Sequence, residues 1–263
     1  MASCKLCLKN KTIKKSHIIP NSFFKFIKQD SGKNNGKYIR ISKDNTNWDQ
    51  GSFYEFMLCG DCESKFSANF EEYVADIFIR NPKVKGVKVS KTDTYVKFSN
   101  LDYKKIKLFQ LSLLWRASIS NNDFYKYVNL SKSKEEVLRN ILYNLTTVPS
   151  NFYPCTFERL LSDIGIEIAN KRDIASSKKL IINPKTTETP IASFITFVLG
   201  GFSIRMYLSI EPICSLPAER ILNETGELKC FQVKIDDHEL LMLGKKQLLM
   251  NKENGVCSLT SEA

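Results

Sequence analysis

Cys4-Lys-Leu-Cys7 and Cys59-Gly-Asp-Cys62 frame the first part of this chain, and Ser16-His-Ile-Ile-Pro20 lies between them. Two thiolates at C-x-x-C spacing reach one tetrahedral ion without straining the backbone, and two such pairs supply the four ligands that a structural zinc needs. The alternative is that the cysteines are small core residues, but the shared spacing of both pairs favours the metal. The predicted zinc ligands are Cys4, Cys7, Cys59 and Cys62.

Length and composition indicate a folded chain with a hydrophobic core. The 263 residues suffice for one large domain or two ordinary ones, and 43% of them are hydrophobic. No apolar run approaches the roughly 20 residues of a membrane span, and the start of the chain has no signal-peptide core. We therefore expect no membrane association, and a reducing cytoplasm in which paired cysteines bind metal.

Positive charge is concentrated near the N-terminus. The net charge is +11, and residues 1–43 hold 11 basic side chains and a single acid, whereas the rest of the chain holds 28 basic and 27 acidic ones. AT-rich codon usage would enrich lysine everywhere, but it would not remove acids from one segment. A concentrated basic patch is the footprint of a polyanion, so we predict a nucleic acid partner rather than a solvated face. The predicted phosphate contacts are Lys14, Lys15, Lys25 and Lys28.

Apolar periodicity and turn signals predict an α+β protein in three segments. Residues 1–80 form the metal module, residues 83–180 a mixed and mainly helical segment, and residues 181–263 a β-rich region. Within the metal module we expect a short helix from residue 21 to residue 28 and a longer helix that begins at Cys62.

Three patterns in the later segments bear on the core. Residues 103–118 predict a heavily buried helix, in which Arg116 is interpreted as a cation that snorkels to solvent. Residues 155–180 fit no single pattern. Two runs joined by Gly200-Gly201, Phe194–Leu199 and Phe202–Ile210, predict a β-hairpin.

His17 is one of only two histidines, and its surroundings differ from those of His238, which follows two acids and is expected at the surface. A neutral imidazole at His17 can accept a proton from water that attacks a phosphodiester. The neighbouring lysines would lower its pKa and keep it neutral near pH 7. A plain structural histidine, or a metal ligand in place of a cysteine, is the alternative.

These motifs together resemble the zinc-containing HNH endonucleases: a C-x-x-C pair, a His-Ile-x-Pro string, and a second C-x-x-C pair opening a helix. The resemblance covers residues 1–80 and implies a ββα-metal fold on a treble-clef zinc module. It implies that His17 is the general base, that the four cysteines hold structural zinc, and that a catalytic Mg²⁺ or Mn²⁺ acts as Lewis acid. Ser16 stands where the family usually has an acid. Glu63 stands where it usually has His or Asn, and its carboxylate suits such an ion.

The first hypothesis is therefore an HNH-like, metal-dependent endonuclease that cleaves DNA, with His17 and Glu63 as its catalytic residues. The Ser-His-Ile-Ile-Pro string resembles a divergent bacterial branch of that family, whose broader members occur in mobile elements and phage-defence operons. One alternative is a catalytically inactive zinc module that binds nucleic acid or scaffolds a partner protein. Another is a subunit whose basic face meets an acidic protein.

Overall fold

A computed structural model describes most of the chain. It covers residues 2–29, 36–42, 46–80, 84–161, 163–168, 171–210 and 218–234. The predicted surface position of His238, and the end of the predicted β-rich region from residue 235 onward, lie outside the described residues.

Helices and strands are mixed along the chain, which confirms the α+β class. The first part contains β1 (Ala2–Ser3), β2 (Asn10–Lys11), β3 (Ile13–His17), α1 (Asn21–Gln29), β4 (Tyr38–Ile41), β5 (Thr46–Asp49), β6 (Tyr54–Cys59), α2 (Gly60–Phe66) and α3 (Glu72–Phe78). The second part contains β7 (Lys88–Lys91), β8 (Tyr95–Ser99), α4 (Tyr103–Ser118), α5 (Lys132–Asn144), β9 (Cys155–Leu161), β10 (Asp163–Ile168), β11 (Lys171–Ser176), β12 (Leu180–Glu188), β13 (Ala192–Leu199), β14 (Phe202–Ile210) and β15 (Leu228–Lys234). A π-helical turn, Ser67–Glu71, joins α2 to α3.

A pair of antiparallel strands followed by a helix carries the motif residues. We call this pair the β3–β6 hairpin, although α1, β4 and β5 lie between its strands in the chain. Strand β3 pairs antiparallel with β6, with His17 opposite Tyr54. The register shifts between Lys14 and Lys15, and this irregularity leaves both lysines exposed while Ser16 is buried. Helix α2 begins directly after β6 and contacts both strands of the hairpin.

A nine-stranded sheet forms the largest element of the fold. Its strand order is β5-β4-β12-β13-β14-β9-β15-β8-β7. The β4–β12 and β9–β15 pairs are parallel, and the other neighbours are antiparallel. Strands from all three predicted segments meet in this sheet, since β4 and β5 belong to residues 1–80. The three-segment division of the sequence stays a prediction.

Residues 83–180 are richer in strand than the predicted mainly helical segment. They contain α4 and α5, but also the strands β7 to β11. Strand β9 runs through the middle of the large sheet, between β14 and β15, and its first three residues are all buried. Buried strands lack the alternation of apolar and polar residues that identifies a half-exposed strand, which explains why this stretch fits no single pattern.

Helix α4 is the central helix of the core. Its start is capped by Asp102, whose side chain accepts a hydrogen bond from the Lys105 N–H at 3.1 Å. Nearly all of its side chains are buried, and the aromatic ring of Phe109 stacks on Phe23 of α1 with centroids 5.7 Å apart. The prediction that Arg116 snorkels is wrong, because its side chain is only 1% exposed.

Candidate functional site

The four cysteines of the C-x-x-C pairs form one cluster. Their sulfur atoms all lie within 4.8 Å of one another, and the Sγ atoms of Cys7 and Cys59 are 3.9 Å apart. Four thiolates bound tetrahedrally at about 2.3 Å from one ion are about 3.8 Å from each other. The spacing therefore fits one zinc ion. Within the part of the chain that the structure describes, this is the only group of three or more potential metal-ligating side chains.

Two local structures bring the cysteines together. The first pair lies in a tight turn between β1 and β2, where the Leu8 N–H donates to the Cys4 carbonyl at 2.8 Å. Leu8 itself has a φ of 61°, a left-handed conformation that costs a non-glycine residue about 1–2 kcal/mol. Cys59 ends β6, and Cys62 follows in the first turn of α2.

The thiol environment favours a bound cation. Burial raises the pKa of the Cys4 thiol, but the backbone N–H groups of Cys7, Cys59 and Leu6 outweigh it and bring the pKa to about 7. The pKa of Cys62 is raised, first by burial and then by the neighbouring thiols of Cys59 and Cys4. Thiolates this close repel one another unless a cation neutralises them. This donor set is that of a structural zinc site, so the cluster would hold zinc.

A cleft of about 500 Å³ lies between the segment around α1 and the helices α2 and α3 with the π-helical turn between them. His17, Glu63 and Lys25, which were all predicted from the sequence as site residues, line it. The other polar side chains along its walls belong to Asn21, Ser22, Ser64, Ser67, Glu71, Glu72, Arg80 and Arg116.

His17 ends β3 and is half-buried at the edge of this cleft. Its Nε2 lies 3.1 Å from the hydroxyl oxygen of Ser52. Burial lowers the pKa of His17, and the positive charges of Arg116, Lys15 and Lys28 lower it further. The ring is therefore neutral near pH 7, which is the form that accepts a proton.

Ser16 and Glu63 lie next to each other behind His17. The Ser16 side chain is fully buried, and its Oγ accepts a hydrogen bond from the Leu58 N–H at 2.9 Å. Burial raises the pKa of Glu63, while the Ser16 hydroxyl and the Arg116 guanidinium partly offset that rise. The Glu63 Oε1 atom is buried and has no hydrogen-bond partner among the described residues. A buried polar atom without a partner is unusual in a folded protein.

Arg116 is a site residue that the sequence reasoning missed. Its guanidinium donates to the His17 backbone carbonyl at 2.5 Å and forms an ion pair with Glu71 at 2.7 Å. It also donates to the Ser112 hydroxyl, one helical turn earlier, at 3.1 Å. The available signal was a cation in the mainly apolar second half of α4, directly after Leu113, Leu114 and Trp115, since a charge in such a place needs a buried partner.

The four predicted phosphate-binding lysines lie in different places. Lys25 is exposed on α1 and lines the cleft. Lys14 and Lys15 are exposed on β3, and the Lys15 ammonium lies 4.6 Å from the centroid of the Tyr54 ring. Lys28 is half-buried and donates a hydrogen bond to the Gln50 carbonyl.

The chain matches no protein-family model, no curated protein and no solved structure. Among the helices of the described residues, none combines the length and the apolar character that a bilayer crossing demands.

Proposed function

We propose that this protein is a zinc-stabilised, HNH-like, metal-dependent endonuclease that cleaves DNA. One observation carries the proposal: His17, Glu63 and Lys25 line a single cleft beside a four-cysteine cluster. A neutral base, a carboxylate and a phosphate-binding cation are the groups that phosphodiester hydrolysis requires. The work of this enzyme would be antiviral defence in the cytoplasm, where reducing conditions keep the thiols available for zinc.

The order of the elements supports the finer fold assignment. A turn with two cysteines, strand β3, its antiparallel partner β6 and a helix with two cysteines at its start come in this chain order, with α1, β4 and β5 inserted between the two strands. This is the layout that a treble-clef, ββα-metal module has. We propose that assignment for residues 1–80, with zinc as its structural ion.

His17 acts as general base in the proposed mechanism. Its neutral imidazole takes the proton of the attacking water as the water oxygen bonds to the phosphorus. The bond from the phosphorus to a sugar oxygen breaks, and that oxygen leaves and takes a proton from solvent. Arg116 holds the His17 carbonyl, so the residue keeps its place at the edge of the cleft. Lys25, exposed on the cleft wall, binds a phosphate oxygen of the substrate.

Glu63 would hold the catalytic Mg²⁺ or Mn²⁺. When bound, such an ion supplies Lewis-acid stabilisation of the charge that develops on the phosphate. Because the pKa of Glu63 is raised by burial, a bound cation would also keep its carboxylate ionised.

Plasmid nicking tests the proposal. The full chain is incubated with supercoiled plasmid and Mn²⁺, beside the variants His17→Ala and Glu63→Gln. We expect nicking by the wild type and its loss in both variants. Glu72→Gln is the matched control, because Glu72 is an exposed carboxylate on the same cleft, and it should keep most of the activity. Wild-type protein with one zinc per chain that nicks in no divalent metal contradicts the proposed cleavage.

A second function is favoured by Ser16. Its hydroxyl occupies the place of the usual acid and is bonded to the Leu58 N–H, and a hydroxyl is a poor ligand for a hard cation. The chain would then be an inactive zinc module that binds nucleic acid or scaffolds a partner protein. Salt-dependent DNA binding without nicking supports it. DNA binding that is indifferent to salt opposes both functions and favours an acidic protein partner.

A further inference from the structure

Two large aromatic side chains of β6 face solvent on the outer side of the β3–β6 hairpin. The side chain of Phe56 is 61% exposed, and that of Tyr54 is 40% exposed. Tyr54 and Phe56 are two residues apart in the strand, so both side chains lie on one face. Their cross-strand partners are Lys15, opposite Phe56, and His17, opposite Tyr54. We call these four residues the hairpin face.

The members of the hairpin face contact one another. The Tyr54 and Phe56 rings meet edge to face, with centroids 6.4 Å apart and planes at 89°. The Lys15 ammonium lies 4.6 Å from the centroid of the Tyr54 ring, and the His17 ring lies 5.9 Å from it. Aromatic planes, a cation and the proposed general base thus share one surface.

The opposite side of the strand holds the aromatics in this orientation. Glu55 points the other way and accepts hydrogen bonds from the Ser120 hydroxyl and the Asn121 N–H, each at 2.8 Å. It also forms an ion pair with Lys5 at 3.4 Å. A one-residue slip of β6 would bury Tyr54 and Phe56, but it would break all of these contacts. The exposure is therefore built into the register.

We propose that the hairpin face binds unpaired nucleotides, with bases stacked on Phe56 and Tyr54 and a phosphate held by Lys15. Every base has a π-face that can stack on an aromatic ring, whereas the bases of an intact duplex are already stacked on each other. Two exposed aromatics beside a lysine suit a single strand for this reason. The inference rests on the proposed nuclease function, because the proposed general base His17 belongs to the face, and it names that function's substrate class as single-stranded or locally opened DNA.

Fluorescence anisotropy tests the inference with the full, zinc-loaded chain and no added Mg²⁺ or Mn²⁺. The probes are a labelled oligothymidylate of 12 nucleotides and a labelled 12-base-pair duplex. We expect Phe56→Ala to weaken single-strand binding about tenfold, Tyr54→Ala to weaken it similarly, and duplex binding to change much less. Phe56→Trp should restore single-strand binding, because it keeps a stacking surface.

Ile191→Ala is the matched control, since Ile191 is 57% exposed and lies just before β13, away from the hairpin. It should bind both probes as the wild type does. Unchanged single-strand binding in Phe56→Ala, an equal loss on both probes, or no single-strand binding by the wild type overturns the inference. If the wild type binds no single strand, a protein partner with an apolar surface becomes the favoured occupant of the hairpin face. If the wild type does not nick plasmid but Phe56→Ala still weakens single-strand binding, only the nuclease function is contradicted. If the wild type nicks plasmid but Phe56→Ala leaves single-strand binding unchanged, only this inference is contradicted.

Discussion

At the scale of single residues, the protonation of His17 depends on groups from several elements. Burial lowers its pKa, and the charges that add to this effect come from Arg116 in α4, Lys15 in β3 and Lys28 in α1. Each of them disfavours the imidazolium and favours the neutral ring. The base strength of this residue is therefore set by the surrounding fold as much as by the local motif.

This environment predicts a pH profile. The proposed cleavage requires neutral His17, so its rate should rise as pH increases through the lowered pKa and should level off near pH 7. Lys15→Gln removes one positive charge, which raises the pKa, and the acid limb of the profile should move to higher pH. The measurement is the single-turnover nicking rate at saturating DNA across pH 5 to 8.

Lys229→Gln serves as the control for that profile, because Lys229 of β15 pairs with Glu219 and neither residue lines the cleft. Its acid limb should coincide with that of the wild type. If Lys15→Gln does not move the acid limb of the pH–rate profile, His17 is not the titrating base.

The cysteines predict a second residue-scale effect. Cys62→Ser removes one of four zinc ligands, and a structural zinc contributes on the order of 10 kcal/mol to folding. We expect less than one zinc per chain by elemental analysis and a melting temperature that no longer falls when chelator is added. Cys155→Ala also alters a buried cysteine but should keep one zinc per chain. Full zinc occupancy in Cys62→Ser would refute the four-cysteine site.

At the scale of secondary-structure elements, one buried cation connects the hairpin to the core. Arg116 of α4 bonds both to the end of β3, through the His17 carbonyl, and to the π-helical turn, through Glu71. The Glu71 side chain is only 13% exposed. A buried ion pair of this kind is costly to break from one side, because the remaining charge stays buried without a partner.

Arg116→Met should therefore lower the free energy of unfolding by about 3–5 kcal/mol. The reasons are the unpaired Glu71 carboxylate and the loss of a donor to the His17 carbonyl. Arg80→Ala is the matched control: Arg80 pairs with Glu72 and Asp76, and all three side chains are about half exposed, so it should cost less than about 1 kcal/mol. Urea denaturation measures both. Equal losses in the free energy of unfolding would show that the buried ion pair stabilises the protein no more than the exposed one.

At the scale of the whole molecule, the metal-binding part is continuous with the rest of the protein. Ile39 of β4 packs in a hydrophobic cluster with residues of other strands, which are Leu160, Leu180, Ile182 and Val198. The ring of Phe53 stacks on Phe124 with centroids 3.9 Å apart. The first segment thus buries its apolar surface against later parts of the chain.

A fragment of residues 1–80 should for this reason bind zinc without folding cooperatively. Removing the later strands exposes Ile39 and Phe53 and leaves β4 without its neighbour β12. Circular dichroism during heating should show a broad change for the fragment and a cooperative transition for the full chain. A zinc-dependent cooperative melt of the fragment would support an independent module.

Local signals predicted much of this fold. The predicted bounds of α4, residues 103–118, follow from its run of apolar residues and agree with the structure. The β13–β14 hairpin follows from Gly200 and Gly201, whose φ values of 60° and 84° favour glycine at both positions of a tight turn. The cysteine cluster follows from spacing alone, because C-x-x-C places two thiols on one turn.

Contacts between distant parts of the chain were beyond the sequence reasoning. The pairing of Arg116 with His17 and Glu71 depends on how α4 packs against the first segment, and no local pattern specifies that packing. The same is true of the parallel pairing of β4 with β12, which joins Ile39 to Leu180. Single-sequence periodicity identifies strands but leaves their order in a sheet open.

That parallel pairing has a consequence for the chain during synthesis. A nascent polypeptide that has emerged as far as Cys62 already contains all four predicted zinc ligands. The edge of β4 that pairs with β12 stays uncovered until Leu180 has been synthesised. During that interval the open edge is a template on which other chains can pair. The exposure of this edge would therefore last until residues 180–182 have left the ribosome, whether or not zinc has already bound.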